Sequence, residues 1–309
     1  MIQIENLVKR YGNLVALDHL NLQIQEGEVF GLLGPNGSGK TTAINCMLAL
    51  LKYDRGSIRI LGEEMTPDNY RVKQQIGIVL QNVAVFDELT VYENIDYFCG
   101  LYVREKEKRK QLVEEAVQFV GLEEFVKTRP GKLSGGLLRR LNIACGIAHK
   151  PKIIILDEPT VAVDPQSRNR ILEGIQELNR QGSTIIYTSH YMEEVEQICT
   201  RIAILDHGRS IAVGTKEELK NMIKTGETVT IEGVLLTPEQ ILSVRELPHV
   251  FSVEYEEQIL TVRCTKAEHN LIRLLHYLQE QEIPFGRVFS ELPTLNDVFL
   301  EITGTKLRD

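Results

Sequence analysis

Gly34-Pro35-Asn36-Gly37-Ser38-Gly39-Lys40-Thr41 fits the pattern G-x-x-x-x-G-K-[ST] without a gap. Residues 29–33 before it read as a short buried strand and residues 42–48 after it as a helix, so the glycines fall where strand turns into helix. Glycine at 34, 37 and 39 lets the main chain take positive φ and approach a ligand closely. Successive N–H groups and the helix N-terminus then form an anion nest that suits phosphate. Lys40 would reach the β- and γ-phosphates of a nucleotide, and the Thr41 hydroxyl would sit on a Mg²⁺ ion. The other reading is a Gly-rich turn capped by a helix with no ligand, and the complete pattern in this context weighs against it.

Composition sets the frame around that stretch. A chain of 309 residues with 43 % hydrophobic content has room for one large domain and a smaller one. The net charge of −8 and the lack of a long basic block disfavour tight non-specific binding to nucleic acid. Cys46, Cys99, Cys145, Cys199 and Cys264 are widely spaced with no C-x-x-C, which fits free thiols in a reducing compartment. The start carries no signal pattern and no apolar run approaches the roughly 18 residues that span a bilayer, so the chain is expected to be cytoplasmic.

Ile2 and Ile4, then Leu20, Leu22 and Ile24, alternate with polar residues as half-buried antiparallel strands do, with a turn at Tyr11-Gly12. Tyr11, if exposed, could stack on a base, although a turn tyrosine more often packs. A buried strand at 76–80 ends on Gln81, at the edge where α/β sheets bind ligands; a surface glutamine is the plainer reading of that residue alone. Thr90-Val91-Tyr92-Glu93 is a capping box, and a second helix from Lys106 places Leu112, Val113, Ala116, Val117 and Val120 on one face. The mixed-sign run at 104–110, with Glu105 four residues before Arg109, reads as a solvated helix start.

Leu133-Ser134-Gly135-Gly136 opens a helix carrying Arg139, Arg140 and an apolar stripe at Leu141, Ala144, Cys145 and Ala148. In isolation Ser-Gly-Gly is a common N-cap; beside a phosphate loop it is a second anion site. The buried strand at 153–156 ends in Asp157-Glu158-Pro159, two carboxylates at the ligand edge of a parallel sheet. Side chains alternate along a strand, so one can serve Mg²⁺ while the other polarises a water; structural ion pairing is the alternative. The strand at 184–189 ends on His190, which shares that edge with Gln81 and Asp157, although a lone histidine is usually structural. Residues 206–209 form a hairpin turn and Thr215 caps a further helix.

From Glu227 the order becomes strand 227–234, helix from the Thr237 cap, strands 250–256 and 258–264, helix from a cap at 265–268, strand 284–290 and a short helix from Thr294. That βαββαβ order predicts a small ferredoxin-like α+β domain.

With GPNGSGKT, LSGG at 133–136, IIILDEPT at 153–160 and TSH at 188–190 in this order, the sequence resembles the ATP-binding subunits of ABC transporters over essentially residues 1–220. RRLNIAC, DEPTVAVDPQSR and LPTLNDVFLEITG resemble the drug- and antibiotic-exporter class. The resemblance implies an α/β fold, a P-loop NTPase of ABC ATPase type with mixed β core, antiparallel β subdomain and helical subdomain (about 82–150) in residues 1–220. A linker at 221–226 and the accessory domain at 227–309 would follow.

The same resemblance assigns Tyr11 to adenine, and Gly34, Pro35, Asn36, Gly37, Ser38, Gly39, Lys40, Thr41 and Thr42 to phosphates and Mg²⁺. Thr41, Gln81 and Asp157 would serve the metal, Glu158 would be the general base, and Gln81, His190 and Lys40 would complete the catalytic set. Ser134, Gly135 and Gly136 would bind the γ-phosphate in trans, with Asp164 in the loop joining two active sites. ATP and Mg²⁺ are the implied cofactors. The implied partners are a membrane-spanning permease and a second copy in a head-to-tail dimer closed by ATP, with no nucleic acid and a position on the inner face of the cell membrane.

Leu137 and Leu138 stand where the family's signature more often continues with polar residues, and Ala162 where Gly or Ser is usual. Two other functions stay open at this point: a non-transport ABC ATPase acting on ribosomes or DNA, and a nucleotide-binding regulator without turnover. The first usually carries two cassettes or a long coiled coil, and this chain has neither.

Overall fold

Strands β1 (Ile2–Tyr11) and β2 (Leu14–Ile24) form the expected antiparallel pair, with Ile2, Ile4, Leu20, Leu22 and Ile24 buried on one face. The computed structural model describes residues 1–303, so the last residues of the expected accessory domain, 304–309, lie outside the described residues. Strand β3 (Val29–Leu33) is buried throughout and runs through the phosphate loop into α1 (Lys40–Met47). Strands β4 (Arg55–Ile60) and β5 (Glu63–Glu64), the short α2 (Tyr70–Lys73) and β6 (Ile76–Val79) follow.

A helical stretch comes next: α3 (Val91–Gly100), α4 (Lys106–Val120) and α5 (Gly135–Ile147). The chain returns to the sheet with β7 (Ile153–Asp157), α6 (Pro165–Arg180), β8 (Thr184–Ser189), α7 (Met192–Ile198), β9 (Arg201–Asp206), β10 (Arg209–Gly214) and α8 (Lys216–Asn221).

The strands divide into an antiparallel sheet, β2-β1-β4-β5, and a six-stranded sheet, β10-β9-β3-β8-β7-β6, parallel except for β10. One apolar core joins them, with Ile4, Leu22 and Ile58 packed with Phe30, Leu32, Ile44, Met47 and Ile155. Register decides what this does for the site. Leu33 of β3 pairs with Ser189 of β8, and Thr188 with Asp157 of β7, so three strands end side by side. Whatever follows each strand is delivered to one edge.

In the helical stretch Thr90 and Glu93 form the reciprocal capping box, and the apolar face of α4 is buried at all five expected positions. Arg109 departs from the solvated reading: its Nε lies 2.7 Å from Asp96 Oδ1 and ties α4 to α3. His149, after α5, stacks on Tyr102 with ring centroids 3.8 Å apart and an interplanar angle of 7°. Burial pushes its imidazole down to about 4.

The unfolded chain therefore takes up that proton near pH 6.5, before the native chain does, and stability present above that pH is lost as pH falls toward 4. His149→Phe, which keeps the stack, is expected to reduce the acid sensitivity by about 2 kcal/mol between pH 7 and 4.5. Urea unfolding of both proteins at the two pH values checks it.

The chain divides into two compact units, Met1–Lys216 and a second beginning at Glu217. Strand β11 (Thr225–Glu232) opens the sheet of the second, so the residues expected as a linker already belong to it. It continues with α9 (Pro238–Arg245), β12 (Val250–Glu256), β13 (Ile259–Thr265), α10 (Asn270–Glu280), β14 (Val288–Glu291) and α11 (Leu295–Thr303). The antiparallel order β12-β13-β11-β14 is that of a ferredoxin-like sheet, with Val229, Ile231, Val253, Leu260 and Val262 packed on Val244, Leu274 and Leu278.

The expected helix cap at 265–268 is corrected. Thr265 is still in the sheet, paired with Thr225, and α10 starts at Asn270 after His269 at φ +67°. The last sheet strand likewise starts at Val288 rather than 284. All five cysteines are buried and unpaired.

Candidate functional site

Residues 34–39 leave β3 and wrap the N-terminus of α1. Gly39 sits at φ +104°, and a Cβ there would come within 2.8 Å of the Ala16 carbonyl on β2. Glycine is required both by the backbone angle and by that close approach. Ser38 is 2 % exposed and its Oγ has no hydrogen-bond partner, which fits a loop shaped for an acceptor-rich ligand.

Lys40 is buried, donates to the carbonyls of Gly34 at 2.8 Å and Pro35 at 3.2 Å, and lies 3.8 Å from Glu158 Oε1. Burial pushes its ammonium below the ordinary lysine value, and Glu158 and Asp157 pull it back up.

Asp157 and Glu158 diverge as the alternation of a strand end requires. Asp157 accepts from Thr41 Oγ1 at 3.1 Å through one oxygen and from Thr188 Oγ1 at 2.7 Å through the other. Glu158, at φ +48°, turns toward Lys40; its Oε2 accepts from Gln81 Nε2 at 3.1 Å and lies 3.7 Å from His190 Nδ1. The Thr188 hydroxyl also accepts from the Glu158 N–H at 2.9 Å, so it aligns both acids. His190 Nδ1 is buried without a hydrogen-bond partner.

Thr41 and Asp157 thus offer a hydroxyl and a carboxylate together. No group of three or more His, Cys, Asp or Glu among the described residues could hold a metal by itself. Such a donor pair suits Mg²⁺, which keeps waters and shares phosphate oxygens rather than filling an all-protein cage.

A cavity of about 330 Å³ covers this edge, lined by Tyr11, Asn36, Gly37, Gly39, Lys40, Thr41, Thr42, Gln81 and Glu158. Tyr11 is half exposed at its rim. Leu14, Val15, Ala16 and His207 also line it, and sequence reading did not single them out; the exposed apolar residues beside the Tyr11 turn were the available signal. Larger grooves of about 700 and 490 Å³ run beside α4, α5 and α6 and are lined by none of the predicted site residues.

Ser134, Gly135, Gly136 and Asp164 do not line the cavity. Ser134 N-caps α5, accepting from Leu137 N at 3.3 Å, and Asp164 N-caps α6, accepting from Ser167 N at 2.9 Å. The two caps adjoin: a Cβ on Gly136 would stand 2.5 Å from Ser167 Oγ and 3.0 Å from Asp164 Oδ2. Ala162, in the loop before Asp164, takes φ +58°, a backbone angle natural to glycine and mildly strained in alanine.

Sequence reading also passed over the setting of Arg139, which is buried and donates to main-chain carbonyls at the ends of β6 and β7. Its place on the helix face of Gly136 and Ile143 was the signal, since i, i+3, i+7 spacing points inward.

Residues 17–161 match the family model described as ABC transporter, and residues 214–303 match that of the C-terminal domain of DrrA1-3-like ATP-binding proteins. The chain is 39 % identical to linearmycin resistance ATP-binding protein LnrL of Bacillus subtilis (strain 168), over all of both chains. It is 35 % identical to Nod factor export ATP-binding protein I of Sinorhizobium fredii (strain NBRC 101917 / NGR234), over all of this chain and 87 % of that one. Among solved structures, a dimeric ATP-binding cassette in a post-hydrolysis state bound to ADP and Pi aligns with a TM-score of 0.64 at 29 % identity, covering 70 % of this chain and 98 % of that one.

Proposed function

This chain belongs to the ATP-binding subunits of ABC transporters, and we propose that it powers export of a small molecule through a separate permease while docked on the inner face of the cell membrane. It is an ATPase. The observation that carries the site assignment is the meeting of Lys40, Thr41, Glu158 and Gln81 at one cavity on the sheet edge, with Asp157 hydrogen-bonded to Thr41 behind it.

In this reading the loop amides of residues 34–42 and the Lys40 ammonium hold the phosphates, and Tyr11 stacks on adenine. Thr41, Asp157 and Gln81 would hold Mg²⁺, which when bound would supply charge neutralisation at the phosphate oxygens. Glu158, already aimed by Gln81 and Thr188, orients and deprotonates the attacking water, and His190 completes the approach to the γ-phosphate.

In the same reading Ser134, Gly135, Gly136 and Asp164, which adjoin one another off this chain's own cavity, serve the nucleotide of a second copy. Two copies arranged head to tail then enclose two ATP molecules. The solved relative that is dimeric and bound to ADP and Pi supports the pairing of two copies.

No helix among the described residues is long and apolar enough to cross a membrane, so transport requires a partner that does. Phe86 and Tyr97 are exposed and meet edge to face at 4.9 Å, an apolar patch suited to a permease loop. Relatives named for resistance and export favour this reading over an ATPase acting on ribosomes or DNA.

Affinity purification of the native chain from detergent-solubilised membranes is expected to bring down a multi-span membrane protein. Recovery with ribosomes or DNA in a salt-sensitive manner, and with no membrane protein, would overturn export.

A further inference from the structure

Arg139 has five N–H donors, and each has a carbonyl. Nε donates to Pro159 O at 2.6 Å; Nη1 to Leu80 O at 2.9 Å and Gln81 O at 2.8 Å; Nη2 to Asp157 O at 3.3 Å and Glu158 O at 2.7 Å. The side chain is 4 % exposed and ends on main chain rather than on a carboxylate. A fully saturated, buried guanidinium is a rigid connector, because tilting its plane breaks several charge-assisted bonds together.

The carbonyls it grips belong to the two segments that carry the water-handling residues. Glu158 sits at φ +48°, a left-handed backbone angle that is uncommon in non-glycine residues. Arg139 grips the main chain on both sides of it, through the carbonyls of residues 157, 158 and 159. One turn upstream on the same helix, α5 begins at Gly135 with Ser134 as its cap. Asn142, one turn further on, reinforces the link by accepting from Ala84 N at 3.2 Å.

We propose that Arg139 is a positioning residue that ties the Ser134–Gly136 end of α5 to Glu158 and Gln81 of the same chain. When a protomer's signature engages its partner's nucleotide, the geometry of that protomer's own hydrolytic site is set with it, so the two composite sites communicate. The inference rests on the composite-site reading above.

The test uses the full chain. ATP turnover is measured against ATP concentration for the wild type, Arg139→Met and Arg139→Lys, beside the affinity of each for N-methylanthraniloyl-ATP. Arg139→Met is expected to lower kcat roughly 10- to 100-fold, the scale of an ångström-sized misplacement, with nucleotide affinity within about 3-fold of wild type. The Hill coefficient should fall toward 1, and Arg139→Lys should recover part of kcat.

Wild-type kcat in Arg139→Met, or a parallel loss of affinity and kcat, overturns the proposal. Should the Met variant not fold, Arg139→Lys carries the test with a drop of about 5-fold, and wild-type kcat and Hill coefficient in it overturn the proposal. Glu158→Gln separates the two levels: turnover retained there removes the underlying site reading, whereas a dead Glu158→Gln beside an unaffected Arg139→Met removes only this inference.

Discussion

Glu158→Gln is expected to cut ATP turnover by about a thousandfold without weakening ATP binding, the loss that follows removal of a positioned general base. The substitution preserves volume and keeps an acceptor oxygen for Gln81 Nε2, which now meets Glu158 Oε2 at 3.1 Å. The lost carboxylate stands 3.8 Å from Lys40 and 3.7 Å from His190, so its removal frees the Lys40 ammonium and the His190 ring for phosphate. Binding therefore stays intact or tightens while hydrolysis stops. The dimer should persist with ATP and Mg²⁺ and separate without them. Phosphate release and size-exclusion chromatography with and without ATP check both halves, and unchanged turnover would refute the role of Glu158.

Lys40→Ala should act at the opposite end of the cycle and raise the dissociation constant for ATP by roughly 100-fold, the worth of one strong charge-assisted contact to phosphate. The ammonium is 5 % exposed and held by the Gly34 and Pro35 carbonyls, so it is placed before ligand arrives. Alanine removes that contact and also leaves Glu158 without its lysine partner. Lys40→Arg should not restore binding, because a planar fork does not fit a pocket built for a compact point charge. Calorimetric titration of the three proteins with ATP and Mg²⁺ distinguishes these outcomes, and unaltered affinity in Lys40→Ala would count against phosphate contact by Lys40.

These predictions draw on residues that could be read without coordinates, and the reason is local. The glycine-rich loop, the acidic strand end and His190 each follow a buried strand directly, so period and punctuation suffice to place these candidate residues. Where partners lie far along the chain, reading fell short. Arg139 reaches Leu80 across 59 positions, Thr188 reaches Asp157 across 31, and Arg109 prefers Asp96 to the neighbouring Glu105. Thr265 looked like a helix cap and is a strand residue, because pairing with Thr225 outweighed its capping propensity.

Residue type and near neighbours already specify a glycine-rich strand-to-helix turn at residues 34–41, two carboxylates at the end of a buried strand, and a second Ser-Gly-Gly helix start. Their chemistry is carried by residue type and by neighbours one or two positions away. Only the tertiary structure decided that the first two meet: parallel pairing of β3 with β8 and of β8 with β7 brings Leu33, Ser189 and Asp157 to one edge. It also left the third outside that cavity, because α5 is anchored through Arg139 with its N-terminus capped beside Asp164. Sheet register and a buried guanidinium are long-range constraints that no local window of residues expresses.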